Sequence, residues 1–321
     1  MVKPRVSFVV PVLNAERDIA RCILSIRSLQ FPSEAYELLI MDNGSTDRTQ
    51  QIVQSLECKF EVIPNVTVSA LRNRGAAIAR GDYVAFIDAD MELAPCWLQS
   101  ALSGFKDQQV VAIGAFPGIP EDATWVQQTW SLHRRCHQSS IDSTPVSWLG
   151  SANLMVRRDA FQAVAGFNEH LPTAEDVDLC YRLGRCGTIL HNPAMKVIHW
   201  GEDPDLRTFW RKEVWRGIGN LKGMLSHGFL WDEVPSVGYP LYVLLLGLFF
   251  YLSLIVDILH QQILYTPLCL ISLALPALLL ALKTARFTDC LREFPKLFLL
   301  YFIYGLARAY SIVKVGTTLS R

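Results

Sequence analysis

Short apolar runs alternate with segments of helical periodicity through roughly the first two thirds of the chain. The runs at 6–10, 37–41 and 83–87 have the length and composition of buried strands. Apolar side chains recur at helical spacing in 15–29, and 69–80 also has the character of a helix. Strands that alternate with helices in this way favour a parallel sheet, so we expect an α/β fold.

Polar side chains follow three of the predicted strands. Residues 11–14 come after the first strand, residues 42–47 after the second, and Asp88 and Asp90 after the third. In open sheets of this kind, ligands bind at the carboxyl ends of the strands. The sequence therefore predicts a ligand site at that edge of the sheet.

Asp88 and Asp90 lie one residue apart at the end of a strongly apolar strand. Alternate residues of an extended chain point the same way, so these two carboxylates are predicted to share one cation. A hard divalent ion would offset their repulsion and also bind phosphate oxygens. The alternative for Asp88 and Asp90 is a solvated turn after the strand. In the same way, Asp47 can be a helix N-cap and Arg72 a solvated charge on a helix.

The C-terminal part of the chain is mostly apolar. The stretches 235–256 and 258–282 are each long enough to cross a bilayer, which takes about 20 residues. The polar residues 260–262 are predicted to form the turn of a helical hairpin. A third apolar run, about 297–315, contains Arg308 and is either a third span or a helix in the interface. The alternative for the hairpin is a buried core element of a soluble protein.

Basic residues indicate the orientation of this hairpin. Lys283, Arg286, Arg292 and Lys296 follow the second stretch, whereas the hairpin turn has no Lys or Arg. The positive-inside rule then puts the basic loop and the first domain in the cytosol. The N-terminus also lacks the apolar core of a signal peptide. We expect a multi-pass protein of the cell membrane with a cytoplasmic first domain.

A segment at 206–232 connects the two parts of the chain. It mixes Phe209 and Trp215 with several Arg and Lys residues, as in amphipathic helices that lie on lipid. The alternative is an ordinary helix packed on the sheet. The predicted domains are 1–205, 206–232 and 233–321.

Composition excludes one class of partner. Lys plus Arg and Asp plus Glu are equal at 30 each, so the balance of charge gives no case for nucleic acid. Hydrophobic residues are 51% and charged residues 19%, as expected of a chain with a membrane segment. The eight cysteines form no CxxC pair, which favours free thiols in a reducing compartment.

Five segments occur in an order that is typical of one enzyme family. They are VVPVLNAE at 9–16, MDNGSTD at 41–47, RNRG at 72–75, FIDAD at 86–90 and GFNEHLPTAEDVDLCYRL at 166–183. Together they resemble the inverting glycosyltransferase family 2, whose catalytic domain has the GT-A fold. The resemblance implies a Rossmann-like, mostly parallel α/β domain, here followed by C-terminal transmembrane helices.

The resemblance also implies roles for individual residues. A UDP-, GDP- or dTDP-linked sugar would be bound by Pro11, Asn14, Glu16, Asp42, Asn43, Arg72, Asp88 and Asn153. Asp90, with Asp88 and His199, would hold a divalent cation, Mn²⁺ or Mg²⁺, that bridges the diphosphate. Asp176, beside Glu175, would be the general base that deprotonates the acceptor, which gives inversion at the anomeric carbon.

Other roles stay open for several of these residues. Asp176 and Asp178 can begin a helix and favour its positive end. His199 can be structural, as a lone histidine often is. His133 and His137 have helical i, i+4 spacing without a nearby carboxylate, which indicates a surface pair.

Two departures from the family pattern bear on specificity. The usual Asp-Asp pair before Gly-Ser is Asp42-Asn43 here, which leaves the preferred base open. The Gln-x-x-Arg-Trp signature of processive synthases does not occur, so single-sugar addition is expected.

The predicted function is metal-dependent, inverting, non-processive transfer to a lipid or lipid-linked glycan acceptor in the bilayer. One alternative is transfer to polyprenyl phosphate. A nucleotidyltransferase is a different alternative, but residues 11–18 have neither Gly nor Lys where such an enzyme needs them. The last alternative is a non-catalytic membrane anchor.

Overall fold

A computed structural model describes residues 5–135, 143–227, 234–261 and 263–319. The chain divides into two compact units. The sheet unit comprises Met1–Asp122 and Ser140–Glu202, and the helical unit comprises Ala123–Ser139 and Asp203–Arg321. His137 and residues 228–232 of the predicted linker lie outside the described residues.

The sheet unit is built on an eight-stranded sheet. Its strands, with those of a small second sheet, are β1 Val6–Val12, β2 Tyr36–Asp42, β3 Lys59–Val62, β4 Tyr83–Ile87, β5 Met91–Leu93, β6 Val110–Gly114, β7 Thr144–Pro145, β8 Asn153–Arg157, β9 Thr188–His191 and β10 Val197–His199. The order in the large sheet is β3-β2-β1-β4-β8-β6-β9-β7, and β5 pairs with β10 in the small one. This confirms the predicted α/β fold with a mostly parallel sheet.

The strands that carry the predicted site end at one edge. β1, β2 and β4 are parallel neighbours, with Val12 opposite Asp42 and Val9 opposite Phe86. β8 runs antiparallel to β4 and pairs Asn153 with Ile87. The start of β8 therefore lies at the same edge as the ends of the three parallel strands.

Helices cover both faces of the large sheet. They are α1 Ile19–Arg27, α2 Thr49–Ser55, α3 Val68–Ile78, α4 Trp97–Gly104, α6 Arg158–Ala163 and α7 Glu175–Leu183. α1 and α4 pack into one buried apolar core, and α3, α6 and α7 pack into a second. Alternating strand residues, Phe8 and Val9 for example, contribute to the two cores in turn.

β1 continues past the apolar run that predicts it, through Pro11 to Val12. The Val12 carbonyl accepts the Asn43 N–H, so the backbone polar groups of Val12 point toward β2. Those of Pro11 point the opposite way, toward β4. The pairing of β1 with β4 has ended by Val9. The missing N–H of Pro11 therefore removes no hydrogen bond from the sheet.

The helical unit contains α5 Trp125–Arg135, α8 Leu206–His227, α9 Val234–His260, α10 Tyr265–Phe287 and α11 Phe294–Leu319. Within the described part of the chain, three segments are long and apolar enough to cross a membrane. These are Val237–His260, Tyr265–Phe287 and Leu291–Lys314.

The turn between α9 and α10 differs from its predicted position. α9 continues through His260, and α10 begins at Tyr265 rather than at 258. The Asp257 carboxylate accepts the N–H groups of Tyr265 and Thr266 at 3.1 and 2.8 Å. Asp257 thus caps α10 from the preceding helix, a contact that hydropathy does not indicate.

Candidate active site

Two loops at the carboxyl edge of the sheet are joined by Asn14 and Glu16. Asn14 has a left-handed backbone (φ 52°), which asparagine tolerates. Its Oδ1 accepts the Thr46 N–H at 2.8 Å. Glu16 Oε2 accepts the Arg48 N–H at 3.1 Å. These two predicted binding residues therefore hold the loop after β1 against the loop after β2.

Asp42 and Asn43, at the end of β2, use their side chains differently. Asp42 Oδ1 accepts the Gly44 and Ser45 N–H groups, both at 2.6 Å. Its Oδ2 is buried and has no hydrogen-bond partner among the described residues. The Asn43 amide bonds to the Val66 N–H and carbonyl at 3.1 and 2.9 Å. Asp42 thus has one buried oxygen without a hydrogen-bond partner among the described residues, whereas both polar atoms of the Asn43 amide bond to the loop.

Arg72 connects residues that follow β4 with residues at the start of α7. Its side chain is 3% exposed and projects from α3. Nη2 donates to Asp88 Oδ1 at 2.7 Å, and Nη1 donates to Glu175 Oε1 at 3.0 Å. The guanidinium carbon also lies 5.4 Å from the centre of the Phe167 ring. Arg72 is therefore a buried bridge between the end of β4 and the start of α7, not a solvated helix charge.

Asp88 and Asp90 do not continue the extended chain of β4. The strand ends at Ile87, and a turn follows in which the Met91 N–H donates to the Asp88 carbonyl at 3.1 Å. The two carboxylates therefore meet different partners, Arg72 for Asp88 and His199 for Asp90. Because β4 ends at Ile87, the alternation of side chains along a strand does not align Asp88 with Asp90.

A second polar cluster surrounds His199. Its Nε2 is 3.2 Å from Asp90 Oδ2, and its Nδ1 is 2.7 Å from Glu202 Oε1. β10 brings His199 here by pairing with β5, where His199 lies opposite Met91. Burial lowers the pKa of His199, but the hydrogen bonds and charges of Asp90 and Glu202 outweigh it and raise the pKa to about 9. The cluster therefore favours positive charge between the two carboxylates.

The Asp90 and His199 donors suit a divalent cation. In the part of the chain that the structure describes, no three His, Cys, Asp or Glu side chains form a ready-made metal cluster. A pair of protein ligands is nevertheless usual where substrate phosphates complete the coordination. A Cβ on Gly201 would lie 1.9 Å from Asp90 Oδ2, so glycine leaves the space that this carboxylate occupies.

Asp176 lies in the first turn of α7, next to Glu175. It is half-buried, and its Oδ1 accepts the Val177 N–H at 2.9 Å. Burial and the negative charge of Glu175 raise the pKa of Asp176 to about 7, against the opposing effects of that hydrogen bond and of Arg72. A carboxyl group with this pKa can accept a proton near neutral pH.

Three other carboxylate or amide side chains have protein partners that account for their positions. The Asn153 side chain is 1% exposed and bonds to Trp97 Nε1 and the Ala115 carbonyl at 2.8 and 2.9 Å. Asp178 pairs with Arg182 at 2.5 Å. Asp47 accepts the Thr49 N–H at 2.9 Å, which supports the start of α2.

Glu202 is the site residue that sequence reasoning misses. It orients His199 through Nδ1, as carboxylates often do for metal-binding histidines. In the sequence, the only indication of this role for Glu202 is its i, i+3 spacing from His199. That spacing becomes meaningful once β5 and β10 are known to pair.

Comparison with known proteins identifies relatives of this chain. A family model described as Glycosyl transferase family 2 matches residues 7–165. The pre-mycofactocin glycosyltransferase of Mycobacterium tuberculosis is 27% identical over 222 residues, which cover 66% of this chain and 46% of that protein. The β-monoglucosyldiacylglycerol synthase of a Nostoc species is 27% identical over 193 residues, 56% of this chain and 41% of that one. The chain spans about half the length of the curated relatives it matches.

A solved structure shares the fold over almost the whole chain. It is the mannosyltransferase PcManGT from Pyrobaculum calidifontis in complex with GDP-Man and Mn²⁺. The TM-score is 0.67 at 15% sequence identity, and the alignment covers 98% of this chain and 87% of that one. At this identity the likeness establishes the fold.

Proposed function

The chain belongs to glycosyl transferase family 2 through residues 7–165, and we propose that it transfers a sugar from a nucleoside-diphosphate sugar to an acceptor in the membrane. The observation that carries this proposal is the bridge made by Arg72. It links Asp88, on the donor side, to Glu175, which adjoins the proposed base Asp176. Donor recognition and acceptor activation therefore share one connected set of side chains.

The donor side of the proposal rests on the loops after β1, β2 and β4. Pro11 lies near the end of β1, and Asn14 and Glu16 fix the loop after it. Asp42, at the end of β2, has a buried Oδ2 without a hydrogen-bond partner among the described residues. Asp88, held by Arg72, is proposed to accept hydrogen bonds from the ribose. Asn43 and Asn153 are included as supports of this pocket, because their amides already bond to the protein.

In the proposed reaction, Asp176 takes the proton of an acceptor hydroxyl. The resulting oxygen attacks the anomeric carbon from the side opposite the nucleoside diphosphate. The bond from that carbon to the diphosphate oxygen breaks as the new bond forms, so the configuration inverts. Arg72 balances the charge of Glu175, which keeps two adjacent carboxylates compatible beside the acceptor.

Asp90 and His199 are the residues proposed to hold a divalent cation, and Glu202 orients His199. When bound, Mn²⁺ or Mg²⁺ supplies Lewis-acid stabilisation of the diphosphate as it leaves. The fold accommodates such a group, since the mannosyltransferase of the same fold was solved with GDP-Man and Mn²⁺.

A lipid or lipid-linked glycan is proposed as the acceptor. The three apolar segments of the helical unit hold the chain at a bilayer, where such acceptors reside. The name of one relative, β-monoglucosyldiacylglycerol synthase, denotes transfer to a diacylglycerol lipid. By the positive-inside rule, the basic residues after α10 support a cytoplasmic location for the sheet unit.

The proposal is tested with the detergent-solubilised full chain and a panel of UDP-, GDP- and dTDP-sugars. Mn²⁺ or Mg²⁺ and native lipid extract are added, and mass spectrometry detects sugar-modified lipid. We expect one donor to give a lipid product that the Asp176→Asn chain forms at least about 10²-fold more slowly. Modification of water-soluble acceptors alone, or release of diphosphate with nucleotide transfer, would contradict the proposal.

The substitution Gly201→Ala is expected to weaken metal binding about 10–100-fold, the usual effect of disturbing the surroundings of a ligand. Its Cβ would meet Asp90 Oδ2 at 1.9 Å and His199 Nε2 at 3.3 Å, so the ligand pair must move. Activation curves for Mn²⁺ measure the change. Gly118→Ala is the matched control, because its Cβ would only contact the Val197 carbonyl at 3.5 Å. Equal metal affinity in both variants would contradict the assignment.

A further inference from the structure

The third apolar helix, α11, is packed differently from the two helices of the hairpin. Of its candidate span, 44% is buried, against 17% and 22% for the spans of α9 and α10. α8 and α5 also contact α11, and neither is a candidate span, since α8 is not apolar enough and α5 has only 11 residues. The polar and charged side chains of α5 and α8 therefore limit how deep in the membrane α11 can lie.

α8 packs closely along the C-terminal half of α11. Arg308 Nε donates to Glu213 Oε2 at 2.8 Å, and Glu213 is 2% exposed. A Cβ on Gly217 would lie 2.2 Å from Ser311 Oγ, so glycine allows the two backbones to approach there. Wherever Arg308 lies in the membrane, α8 must therefore lie beside it.

The opposite face of α8 is basic and exposed. Arg207, Arg211 and Trp215 follow one another at i, i+4 and i+8, and all three are exposed. Each exposed arginine lowers the equilibrium population of α8 at the bilayer centre by on the order of a hundredfold. Arginine beside tryptophan is instead typical of helices at the level of the lipid headgroups. α8 therefore belongs at the membrane surface.

α5 is a second polar neighbour of α11. His133 Nδ1 lies 2.9 Å from the Tyr301 hydroxyl, and the Trp130 ring packs on Phe209 and Tyr301 at 4.9 and 5.4 Å. Gln127, Thr129 and Ser131 of α5 are buried, whereas Gln128 is exposed and Arg134 is half-buried. Both helices that cover α11 thus carry polar or charged side chains that hydrocarbon does not solvate.

α11 contacts the half of the hairpin that is farther from its turn. Tyr239 and Val243 of α9 pack against it, as do the alanines at 277, 281 and 285 of α10. From Leu244 to His260, about 16 further residues of α9 extend roughly 24 Å, at ~1.5 Å per residue. A helix that lies in the interface sinks about 5–10 Å, and together these lengths match a hydrocarbon core of about 30 Å.

We infer that α11 does not cross the membrane. It lies with α5 and α8 in an interfacial platform, defined here as these three helices, whose exposed arginines contact anionic headgroups. The crossing part of the described chain is then the α9–α10 hairpin, and both termini are on the same side. If α11 crossed, the pair that Glu213 forms with Arg308 would hold α8 beside it in the hydrocarbon, together with the exposed Arg207 and Arg211.

Epitope tags in the full chain test this topology. They are placed before Met1, after Gln261 and after Arg321, and protease accessibility is measured in intact and permeabilised spheroplasts. We expect the tag after Gln261 to be cleaved in intact spheroplasts and both terminal tags only after permeabilisation. Cleavage of the C-terminal tag together with the hairpin tag would show that α11 crosses, and protection of all three tags would show that the hairpin does not.

The same experiment separates this inference from the proposed orientation. If both terminal tags are cleaved and the hairpin tag is protected, the platform stands while the proposed cytoplasmic location of the sheet unit is wrong. Because the readout is independent of catalysis, loss of the proposed activity would leave the topology result unchanged.

A lipid-retention experiment tests the headgroup contact. The detergent-solubilised full chain is mixed with equal amounts of phosphatidylglycerol and phosphatidylcholine. The lipids that stay bound to the purified protein are quantified by mass spectrometry. We expect at least a twofold excess of the anionic lipid, falling toward equality in the Arg207→Glu/Arg211→Glu chain. Lys106→Glu, an exposed change in the sheet unit, is the control. An excess that is absent, or that survives the double substitution, would overturn the assignment of this basic surface.

Discussion

The substitution Asp176→Asn is expected to lower kcat about 10²–10⁴-fold, the usual contribution of a positioned general base. Asparagine can still accept the Val177 N–H, so the start of α7 should keep its geometry. It has no basic oxygen to take the acceptor proton. The KM for the nucleotide-sugar should change less than about threefold, because Asp176 acts on the acceptor. Steady-state kinetics measure both constants, and a thermal unfolding curve checks the fold.

The acid limb of the pH profile supplies an independent test of Asp176. The base acts only when it is deprotonated, and burial together with Glu175 raises its pKa to about 7. The ratio kcat/KM for the acceptor should therefore be level above pH 7 and fall about tenfold per pH unit below it. This limb should disappear from the residual activity of the Asp176→Asn chain. If the limb persists there, another group is responsible for it.

Glu175→Gln should move the same limb to lower pH. The substitution removes the negative charge that raises the pKa of Asp176, and it leaves the Arg72 guanidinium with one carboxylate partner fewer.

A phosphate acceptor gives a different pattern, since it is already anionic and needs little base catalysis. A loss of less than about tenfold in the Asp176→Asn chain would therefore favour polyprenyl phosphate over a hydroxyl acceptor.

The fold could be predicted because its signals are local. The apolar runs of β1, β2 and β4 and the polar residues after them are contiguous in sequence, and a parallel sheet brings their ends together. The resemblance to family 2 rests partly on these segments and is confirmed by the family match over residues 7–165, which ends before the fifth segment at 166–183. The antiparallel position of β8 between β4 and β6 has no comparable local signal.

Contacts between distant segments form the parts of the site that only the family resemblance could suggest. Asp90 and His199 meet only because β5 pairs with β10, more than 100 residues later in the chain. Arg72 has the sequence context of a solvated helix charge, yet it is buried between Asp88 and Glu175. Burial of a charged group becomes evident only when its partners are known.

The helical unit shows the same limit on local reasoning. α5 lies in sequence between strands β6 and β7 of the sheet unit, yet it packs with α10 and α11. Arg308 looks out of place in an apolar run until Glu213 is found beside it. Hydropathy therefore identifies the apolar helices, whereas their neighbours decide which of them can lie in hydrocarbon.

Asp90→Asn is expected to lower turnover on the order of 10³-fold, because cation stabilisation of a leaving diphosphate contributes several kcal/mol and each 1.36 kcal/mol is tenfold in rate. Asparagine keeps the size of the side chain but removes the charge that faces His199. Chelation with EDTA should abolish turnover of the unaltered chain, and Mn²⁺ or Mg²⁺ should restore it. Added metal should not restore the Asp90→Asn chain.

Two further variants separate a metal ligand from a merely structural carboxylate. Glu202→Gln should require about 10–100-fold more metal for half-activation and yet reach nearly the full kcat, because Glu202 acts through His199. Glu121→Gln, at an exposed position, should match the unaltered chain. Turnover that survives EDTA, or an Asp90→Asn chain that stays active, would remove the metal from the reaction. A loss in Glu202→Gln that added metal cannot correct would instead make the His199 cluster a structural element, because an orienting residue affects occupancy and not the rate once the site is filled.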